Sequence, residues 1–252
     1  MAVDPVTTTW ETVSSPDTPI SVFVARATSP TDCLVVVPEN PGITAWRQEE
    51  TARMAADLGW TVVVMSPYSR IGGGPPAGPF ATADERRRAA FLAMPDEQVA
   101  GDLAATVAWV RERGWTAGGG APAVLGFCSG GGQVVHAVST RHGLARAAVS
   151  IYGNIVLRGE FTPDREPIDR SGSGALIDCP FQMHVGGLDS EIPEAYVAAF
   201  EAELARSGQP FAVYRYDDAD HIFTDATHPN FDPEATQLVW RRVYAFLTAG
   251  TV

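Results

Sequence analysis

The residues with the clearest chemical potential lie in a glycine-rich segment near the middle of the chain. Residues 126–132 read Gly-Phe-Cys-Ser-Gly-Gly-Gly, with Cys128 at the centre of a G-x-C-x-G pattern. The apolar run 123–127 before it predicts a strand, and a helical pattern begins near Val134. Strand, tight turn and helix in this order are typical of a nucleophile elbow, in which small residues let the central side chain stand exposed above a sheet. The pattern therefore predicts that Cys128 is a nucleophile.

Two other interpretations of this segment compete. A cysteine in isolation is most often a small buried residue without chemical function, and glycines between a strand and a helix can cradle a phosphate. The phosphate interpretation is weak because no Lys-Ser or Lys-Thr pair follows and the G-x-G-x-x-G spacing is missing. The tight turn between a predicted strand and a predicted helix favours the nucleophile over both.

The elements that would position this turn alternate between short apolar runs and longer segments of helical period, which predicts an α/β fold with a mostly parallel central sheet. Six apolar runs are typical of strands buried on both faces: residues 33–37, 60–65, 123–127, 147–152, 180–185 and 211–216. Residues 7–13 and 20–27 are rich in Thr and Val and predict an antiparallel opening hairpin. A length of 252 residues favours a single domain over residues 1–252.

Helices are predicted between and after the strands. Residues 97–113 and 193–207 carry apolar side chains on one face. A final helix is predicted to begin after Asp232 as N-cap, with a proline in its first turn. Two long segments interrupt the alternation of predicted strands and helices: residues 67–83, rich in Gly and Pro, and residues 153–178, polar and irregular. Such segments are expected either to roof a pocket or to be plain surface loops.

The chain resembles the dienelactone hydrolase family, whose members have the α/β-hydrolase fold and a cysteine in place of the usual serine at the elbow. Five segments in the family's order carry the resemblance across nearly the whole chain: residues 35–42 (Val-Val-Val-Pro-Glu-Asn-Pro-Gly), 67–70 (Pro-Tyr-Ser-Arg), the Cys128 elbow, 186–189 (Gly-Gly-Leu-Asp) and 220–223 (Asp-His-Ile-Phe). The resemblance implies helices on both faces of the sheet and a hydrolase that opens activated esters or lactones.

The resemblance also implies a catalytic triad of Cys128, Asp189 and His221, in the nucleophile, acid and histidine order of α/β-hydrolases. Asp189 follows the predicted strand 180–185 and His221 follows the predicted strand 211–216, so both lie at carboxyl ends of strands, where open parallel sheets hold their sites. The alternatives at these two positions are a turn-capping aspartate and a solvated loop histidine.

Three more residues of the catalytic centre are implied by the resemblance. Glu39 matches a glutamate that contacts the resting cysteine and helps to generate its thiolate, although a surface loop position is the alternative. The backbone amides of Ser129 and Asn40 match the oxyanion hole, one directly after the nucleophile and one from the loop after strand 33–37.

Members of the family hold a substrate carboxylate with two arginines, and this chain has an arginine at only one of the two corresponding positions. Arg88 matches the first, although Arg86 or Arg87 could take its place, and three adjacent arginines can also be a solvated helix face. Asp225 stands where the second arginine is expected, four residues after His221. A negative charge there would repel a carboxylate.

Two apolar residues are also expected to bind substrate. Ile222 replaces a small polar residue that the family often has next to the histidine. Leu92 replaces an aromatic residue, unless Phe91 serves. The pocket is therefore expected to be less polar than the family pattern, which makes dienelactone itself a doubtful substrate.

The chemistry of a thiol limits the substrates. His221, oriented by Asp189, would favour the thiolate of Cys128, and attack on a carbonyl would give a thioester. Because sulfur is also a good leaving group, the tetrahedral intermediate goes forward only if the departing oxygen is stable as an anion. Enol esters and unsaturated lactones meet this condition, whereas ordinary alkyl esters and amides do not. Water would then hydrolyse the thioester with His221 as base.

Composition narrows the class of partner. Eighteen Lys and Arg against 30 Asp and Glu give a net charge of −12, which repels nucleic acid and acidic membrane surfaces and favours a small-molecule ester or lactone. No segment resembles a signal peptide or a membrane span, so a cytoplasmic location is expected. The three cysteines lack CxxC spacing and the five histidines form no HExxH pair, so no metal or other cofactor is expected. The sequence predicts no oligomeric state.

Three alternative functions use the same residues. A thioesterase or acyltransferase would pass the acyl group from Cys128 to an acceptor other than water. A binding protein would keep the fold and pocket without turnover. A redox-sensing thiol would use Cys128 without a partner cysteine that the sequence reveals.

Overall fold

The computed structural model describes residues 5–157 and 167–249. In these residues the strands are β1 Thr7–Val13, β2 Ile20–Arg26, β3 Cys33–Val37, β4 Thr61–Met65, β5 Ala123–Phe127, β6 Ala147–Ile151, β7 Val156–Leu157, β8 Ile168–Asp169, β9 Phe181–Gly186 and β10 Phe211–Tyr216. The helices are α1 Ala45–Leu58, α2 Ala83–Leu92, α3 Asp96–Glu112, α4 Ser129–Thr140, α5 Glu194–Ser207 and α6 Pro233–Ala249. Short 3-10 turns lie at Ser69–Ile71, Ala117–Gly119 and Ser171–Leu176.

Eight of these strands form one sheet in the order β1-β2-β4-β3-β5-β6-β9-β10. β1 pairs with β2, and β2 with β4, in antiparallel fashion, whereas all pairs from β4 to β10 are parallel. Every residue of β3, β4, β5 and β6 is buried, as their continuous apolar runs predict for strands covered on both faces. The predicted α/β fold with a mostly parallel sheet and an opening hairpin is confirmed.

Helix starts follow local capping signals. The Asp232 Oδ1 atom accepts hydrogen bonds from the amides of Glu234 and Ala235 at 3.0 and 2.9 Å, which confirms the predicted N-cap of α6. Thr44 and Thr82 cap α1 and α2 with the same kind of side-chain-to-backbone bond. The cap of α2 decides which of its residues face the site described below.

The predicted boundaries differ from the observed ones by a residue at most places, and the larger differences lie in the two long segments. Residues 67–83 contain a 3-10 turn and end where α2 begins. Residues 153–178, predicted to be irregular, contain the antiparallel pair β7 and β8 and the 3-10 turn Ser171–Leu176. Strands of two residues are too short to show a period in the sequence, so no pattern predicts them. Residues 158–166 of this segment lie outside the described residues.

Candidate active site

The turn around Cys128 has the geometry of a nucleophile elbow. Cys128 lies between β5 and α4 with φ 50° and ψ −119°, a strained conformation for a residue with a side chain. A Cβ on Gly126 would lie 2.2 Å from the carbonyl oxygen of Gly130, and a Cβ on Gly130 would lie 2.3 Å from that of Val37. Both glycines are therefore required by close backbone contacts, one across the turn and one with the end of β3.

The structure brings together the three residues of the predicted triad. The Nε2 atom of His221 lies 3.1 Å from Cys128 Sγ, and its Nδ1 atom lies 2.7 Å from Asp189 Oδ2. Asp189 follows β9 and His221 follows β10, so the carboxyl ends of neighbouring strands supply both. All three side chains are buried, so His221 is not a solvated loop residue. Asp189 also caps a turn, because its Oδ1 atom accepts from the amide of Glu191 at 2.9 Å while its Oδ2 atom contacts His221.

The charges around His221 favour its protonated form. Burial alone lowers the pKa of His221, but the neighbouring Cys128 sulfur and the Asp189 carboxylate together raise this pKa well above its ordinary value. A protonated imidazole next to a sulfur atom stabilises negative charge on that sulfur. The arrangement can therefore hold an imidazolium and a thiolate side by side.

Asn154 also contacts the sulfur, and no sequence pattern indicates it. Its Oδ1 atom lies 3.3 Å from Cys128 Sγ, and its backbone amide donates to the carbonyl oxygen of Cys128 at 3.0 Å. Arg170 donates to the carbonyl oxygen of Asn154 at 2.6 Å and thereby fixes this peptide. The contact with Oδ1 suits the thiol, because a thiolate has no proton to donate. A thiolate would instead accept from the amide nitrogen after a turn of this side chain.

Glu39 lines the same cavity as Cys128, but its carboxylate is bound elsewhere. Arg47 donates to Glu39 Oε2 at 2.7 Å and to Oε1 at 3.4 Å. The Arg47 guanidinium is fully buried and lies 3.7 Å from the ring centroid of Phe127. Among the described residues, Glu39 makes hydrogen bonds to Arg47 and none to Cys128. The structure thus departs from the expected contact with the resting cysteine, because an arginine of α1 neutralises the glutamate.

The two amides predicted for the oxyanion hole have the expected positions in the chain. Ser129 begins α4, and Asn40 lies in the loop after β3. Within the described residues, neither amide donates a backbone hydrogen bond. Tyr68 donates to the carbonyl oxygen of Asn40 at 2.7 Å and so holds this loop. Asn40 lines the cavity over Cys128, described next, whereas Ser129 lines a smaller neighbouring one, and the role of both amides stays a prediction.

A cavity of about 620 Å³ opens over Cys128 and His221. Its other lining residues come from the loop after β3, from α2 and its preceding segment, and from the loops after β9 and β10: Glu39, Asn40, Pro41, Pro75, Ala83, Arg86, Arg87, Ala90, Glu191, Ile222, His228 and Asn230. A cavity of this size suits a small molecule.

The predicted substrate-binding residues on α2 are only partly in this cavity. Ala83, Arg86, Arg87 and Ala90 line it, at the spacing of one helix face. Arg88 follows Arg87 by one residue, so its side chain points about 100° away from that of Arg87 around the helix axis. It is not among the lining residues of the cavity. The expectation that Arg88 binds substrate is therefore corrected: the arginines of α2 that line the cavity are Arg86 and Arg87, the two alternatives that the sequence analysis names.

Leu92 is also displaced from the expected position. It is 41% exposed and lines a separate cavity of about 120 Å³ that Phe91 and Ser129 share. Ile222 lines the main cavity as expected, with φ 65°, a conformation that β-branched residues rarely adopt. Asp225 does not face this cavity, because its Oδ1 atom accepts from the amide and hydroxyl of Thr227 in a turn. Its charge is thus not aimed at a substrate.

The loop after β9 supplies a second carboxylate that the sequence analysis misses. Glu191 Oε2 lies 3.6 Å from His221 Nε2, and its other oxygen forms an ion pair with Arg87. Asn230 lines the cavity too and donates to the carbonyl oxygen of His221 at 3.0 Å. His228 is a further lining residue. Glu191, Asn230 and His228 are single polar residues in loops. The one sequence signal for them is that each lies close in the chain to Asp189 or His221.

His184 is a buried structural residue of β9. Its Nδ1 atom lies 2.8 Å from Tyr216 Oη and its Nε2 atom 3.0 Å from Gln182 Oε1. Burial, and then the charge of Arg242, lower the pKa of His184 to about 3. At neutral pH the imidazole of His184 is therefore uncharged, whereas that of His221 holds its proton.

Acidification from pH 7 to pH 5 is expected to lower the free energy of unfolding through His184 by on the order of 2 kcal/mol. The unfolded chain takes up a proton at this residue below about pH 6.5, whereas the folded protein does so only near its pKa of about 3. Protons therefore favour unfolding in this window. Urea unfolding at both pH values should show a weaker pH dependence in His184→Gln than in the wild type. The control is His142→Gln, at a residue whose side chain is 72% exposed, and this variant should keep the pH dependence of the wild type. Equal pH dependence in wild type and His184→Gln would contradict the assignment.

Two features of the described residues bear on membranes and metals. No helix in residues 5–157 and 167–249 has the length and apolar character to cross a membrane. In the same part of the chain, no group of three or more His, Cys, Asp or Glu is arranged to hold a metal ion.

Comparisons with known proteins identify a family for this chain. The chain matches the model of the dienelactone hydrolase family over residues 20–250. A carboxymethylenebutenolidase of Pseudomonas sp. strain P51 is 30% identical over 222 residues, which cover 85% of this chain and 83% of the relative.

Solved structures share the fold. A Klebsiella pneumoniae protein assigned as a dienelactone hydrolase has a TM-score of 0.82 at 20% identity, over 97% of this chain and 99% of the other. The dienelactone hydrolase of Anabaena variabilis has a TM-score of 0.67 at 15% identity, over 97% and 98%. At these identities the two structures support the fold alone.

Proposed function

The chain belongs to the dienelactone hydrolase family and is a hydrolase of ester or lactone bonds, and on that premise we propose that it opens activated esters and lactones through an acyl group on Cys128. The observation that carries the proposal is the distance of 3.1 Å between Cys128 Sγ and His221 Nε2. Asp189 holds the other nitrogen of this imidazole at 2.7 Å. A thiol, an imidazole and a carboxylate thus lie within hydrogen-bond distance, which supports the roles of nucleophile, base and orienting group for Cys128, His221 and Asp189.

Acylation begins when the thiolate of Cys128 attacks the carbonyl carbon of the substrate. The amides of Ser129 and Asn40 donate to the oxyanion that forms. The carbon–oxygen bond of the ester then breaks, and His221 Nε2 gives its proton to the departing oxygen. The products of this step are a thioester on Cys128 and an alcohol or enol, which in a lactone remains part of the acyl group.

Deacylation returns the site to its starting state. The oxygen of a water molecule bonds to the acyl carbon while His221 Nε2 takes one of its protons. The carbon–sulfur bond breaks with its electron pair on Sγ, which leaves a carboxylic acid in the cavity. The thiolate of Cys128 and the imidazolium of His221 are then side by side again.

The substrate class follows from the sulfur and from the lining charges. Because a thiolate is a better leaving group than an alkoxide, only an oxygen that departs as a stabilised anion, such as an enolate, competes with it. The carboxylate of Glu39 is bound by Arg47, and that of Glu191 by Arg87. Arg86 is an exposed cation that also lines the cavity. We therefore expect small enol esters and unsaturated lactones, with a substrate carboxylate tolerated near Arg86 and not required.

A screen of matched substrates tests this proposal. Enol esters and alkyl esters of the same acyl group, each with and without a second carboxylate, are compared by kcat/KM. The enol esters should react at least about 100-fold faster, which corresponds to about 2.7 kcal/mol in activation free energy. Arg86→Gln should lower kcat/KM only for the substrates with a carboxylate, while Arg53→Gln on the surface of α1 is the control. Equal rates for enol and alkyl esters would contradict the acyl-cysteine mechanism.

A further inference from the structure

Glu191 and Arg87 form an ion pair in the wall of the cavity that no step above uses. The Glu191 side chain is 22% exposed and comes from the loop that also holds Asp189. Its backbone amide donates to Asp189 Oδ1 at 2.9 Å, while the other oxygen of Asp189 binds His221 Nδ1. The side chain then reaches the opposite nitrogen of the same imidazole, where Glu191 Oε2 lies 3.6 Å from Nε2. One short loop therefore contacts His221 at both of its nitrogens.

The distance between Glu191 Oε2 and His221 Nε2 is too long for a direct hydrogen bond of normal strength. It does suit a water molecule that binds both atoms, since two acceptors 3.6 Å apart can each lie about 2.8 Å from one oxygen. Arg87 holds the other oxygen of Glu191 and so keeps Oε2 turned towards the imidazole. The carboxylate is thus fixed at the nitrogen that must receive the proton of the hydrolytic water.

We propose that Glu191 is a catalytic residue of the deacylation step, in which its carboxylate binds the hydrolytic water next to His221. The inference rests on the acyl-cysteine mechanism proposed above. Before acylation, His221 Nε2 faces Cys128 Sγ at 3.1 Å. Once the sulfur carries an acyl group, the deprotonated Nε2 and Glu191 Oε2 each accept a hydrogen bond from a single water molecule. The lone pair of that water is then directed away from both acceptors, into the cavity that holds the acyl carbon.

The proton and bond balance is that of ordinary thioester hydrolysis. The water oxygen bonds to the acyl carbon, Nε2 takes one proton, and the carbon–sulfur bond breaks with its electrons on Cys128 Sγ. Glu191 accepts a hydrogen bond throughout and takes no proton. Its charge also stabilises the imidazolium that His221 becomes in this step, because opposite charges at this separation attract.

Glu191→Gln tests this role by separating the two half-reactions. With 4-nitrophenyl acetate in a stopped-flow instrument, the release of nitrophenolate reports acylation and the steady state reports deacylation. The variant should show a burst near one equivalent and a kcat about tenfold lower, because the hydrolytic water loses one of the two acceptors that orient it. The rate of the burst should stay within about twofold of the wild type. Hydroxylamine, a strong nucleophile that needs no base, should restore turnover in the variant.

The control variant is Glu194→Gln, which changes the same residue type three positions later. Glu194 begins α5, forms its ion pair with Arg215 and does not line the cavity. This variant should behave as the wild type.

Three results would overturn the inference. Unchanged deacylation in Glu191→Gln would remove it and leave the proposed function intact. An equal loss in acylation and deacylation would assign Glu191 a merely structural role. Carbamoylation by a slowly hydrolysed carbamate ester checks the underlying mechanism separately, since a Cys128 that takes no carbamoyl group would remove the proposed function together with the inference.

Discussion

Replacement of Cys128 by alanine is expected to abolish hydrolysis and to leave the fold intact. The variant lacks the sulfur atom that forms the thioester in this mechanism, so kcat/KM for an enol ester should fall by at least about 10³-fold. The loss of one buried sulfur should lower the free energy of unfolding by about 1 kcal/mol. Enzyme kinetics and urea unfolding on the same preparation measure both effects. Full activity in Cys128→Ala would contradict the proposal that Cys128 is the nucleophile.

Two further variants control this prediction. Cys179→Ala removes another buried thiol, one whose pKa is raised to about 12 by burial and by Asp178, and should keep wild-type activity. Cys128→Ser keeps a nucleophile but replaces the sulfur by an oxygen, which is a poorer leaving group. It should therefore shift the ratio of rates towards simple alkyl esters. A Cys128→Ser variant with the wild-type preference for enol esters would show that the sulfur does not set the substrate class.

Replacement of Arg47 by methionine is expected to lower the free energy of unfolding by about 3–5 kcal/mol, because it leaves the Glu39 carboxylate buried without its counter-charge. Arg47 has no exposed surface and Glu39 is 4% exposed, so little water reaches the pair to replace the lost contacts. The contact of Arg47 with the Phe127 ring is lost as well. Urea unfolding curves of wild type and variant give the difference.

The partner of Arg47 offers the matching control. Arg47→Met combined with Glu39→Gln removes both charges and should recover much of the lost stability. Arg53→Met breaks the exposed ion pair with Glu50 on the same helix and should cost less than about 1 kcal/mol. If Arg47→Met is as stable as Arg53→Met, the buried pair is not what holds Glu39 in place.

The elbow could be predicted from sequence because all its determinants are adjacent in the chain. Cys128, its flanking glycines, the strand before it and the helix after it form one continuous segment. Asp189 and His221 could be predicted with a family pattern, since each directly follows a strand of the same parallel sheet and its distance in sequence does not matter. The site roles of these residues remain predictions until variants are measured.

The contacts that sequence reasoning missed all depend on how separate elements pack. Arg47 looks like an ordinary arginine near the start of a helix, and only the packing of α1 against the loop after β3 shows that it neutralises Glu39. The choice among three consecutive arginines depends on the phase of α2, which its cap at Thr82 sets. Asn154 and Glu191 are single polar residues in loops, where no period or spacing indicates direction.

Strand positions were predicted well because burial on both faces leaves an uninterrupted apolar run, as in residues 33–37 and 123–127. The short pair β7 and β8 has no such run, and its pairing depends on contacts distant in sequence. Local patterns thus suffice where a residue's environment is set by its own element, and fail where two elements meet.

The most direct test of the central claim is to titrate the protein with 4-nitrophenyl N,N-dimethylcarbamate and to locate the label by mass spectrometry of peptides. A carbamoyl thioester is hydrolysed slowly, so one equivalent of nitrophenolate should be released as activity disappears. The carbamoyl group should be found on Cys128 and not on Cys33 or Cys179. Loss of activity with the label on another side chain and an unmodified Cys128 would contradict the account.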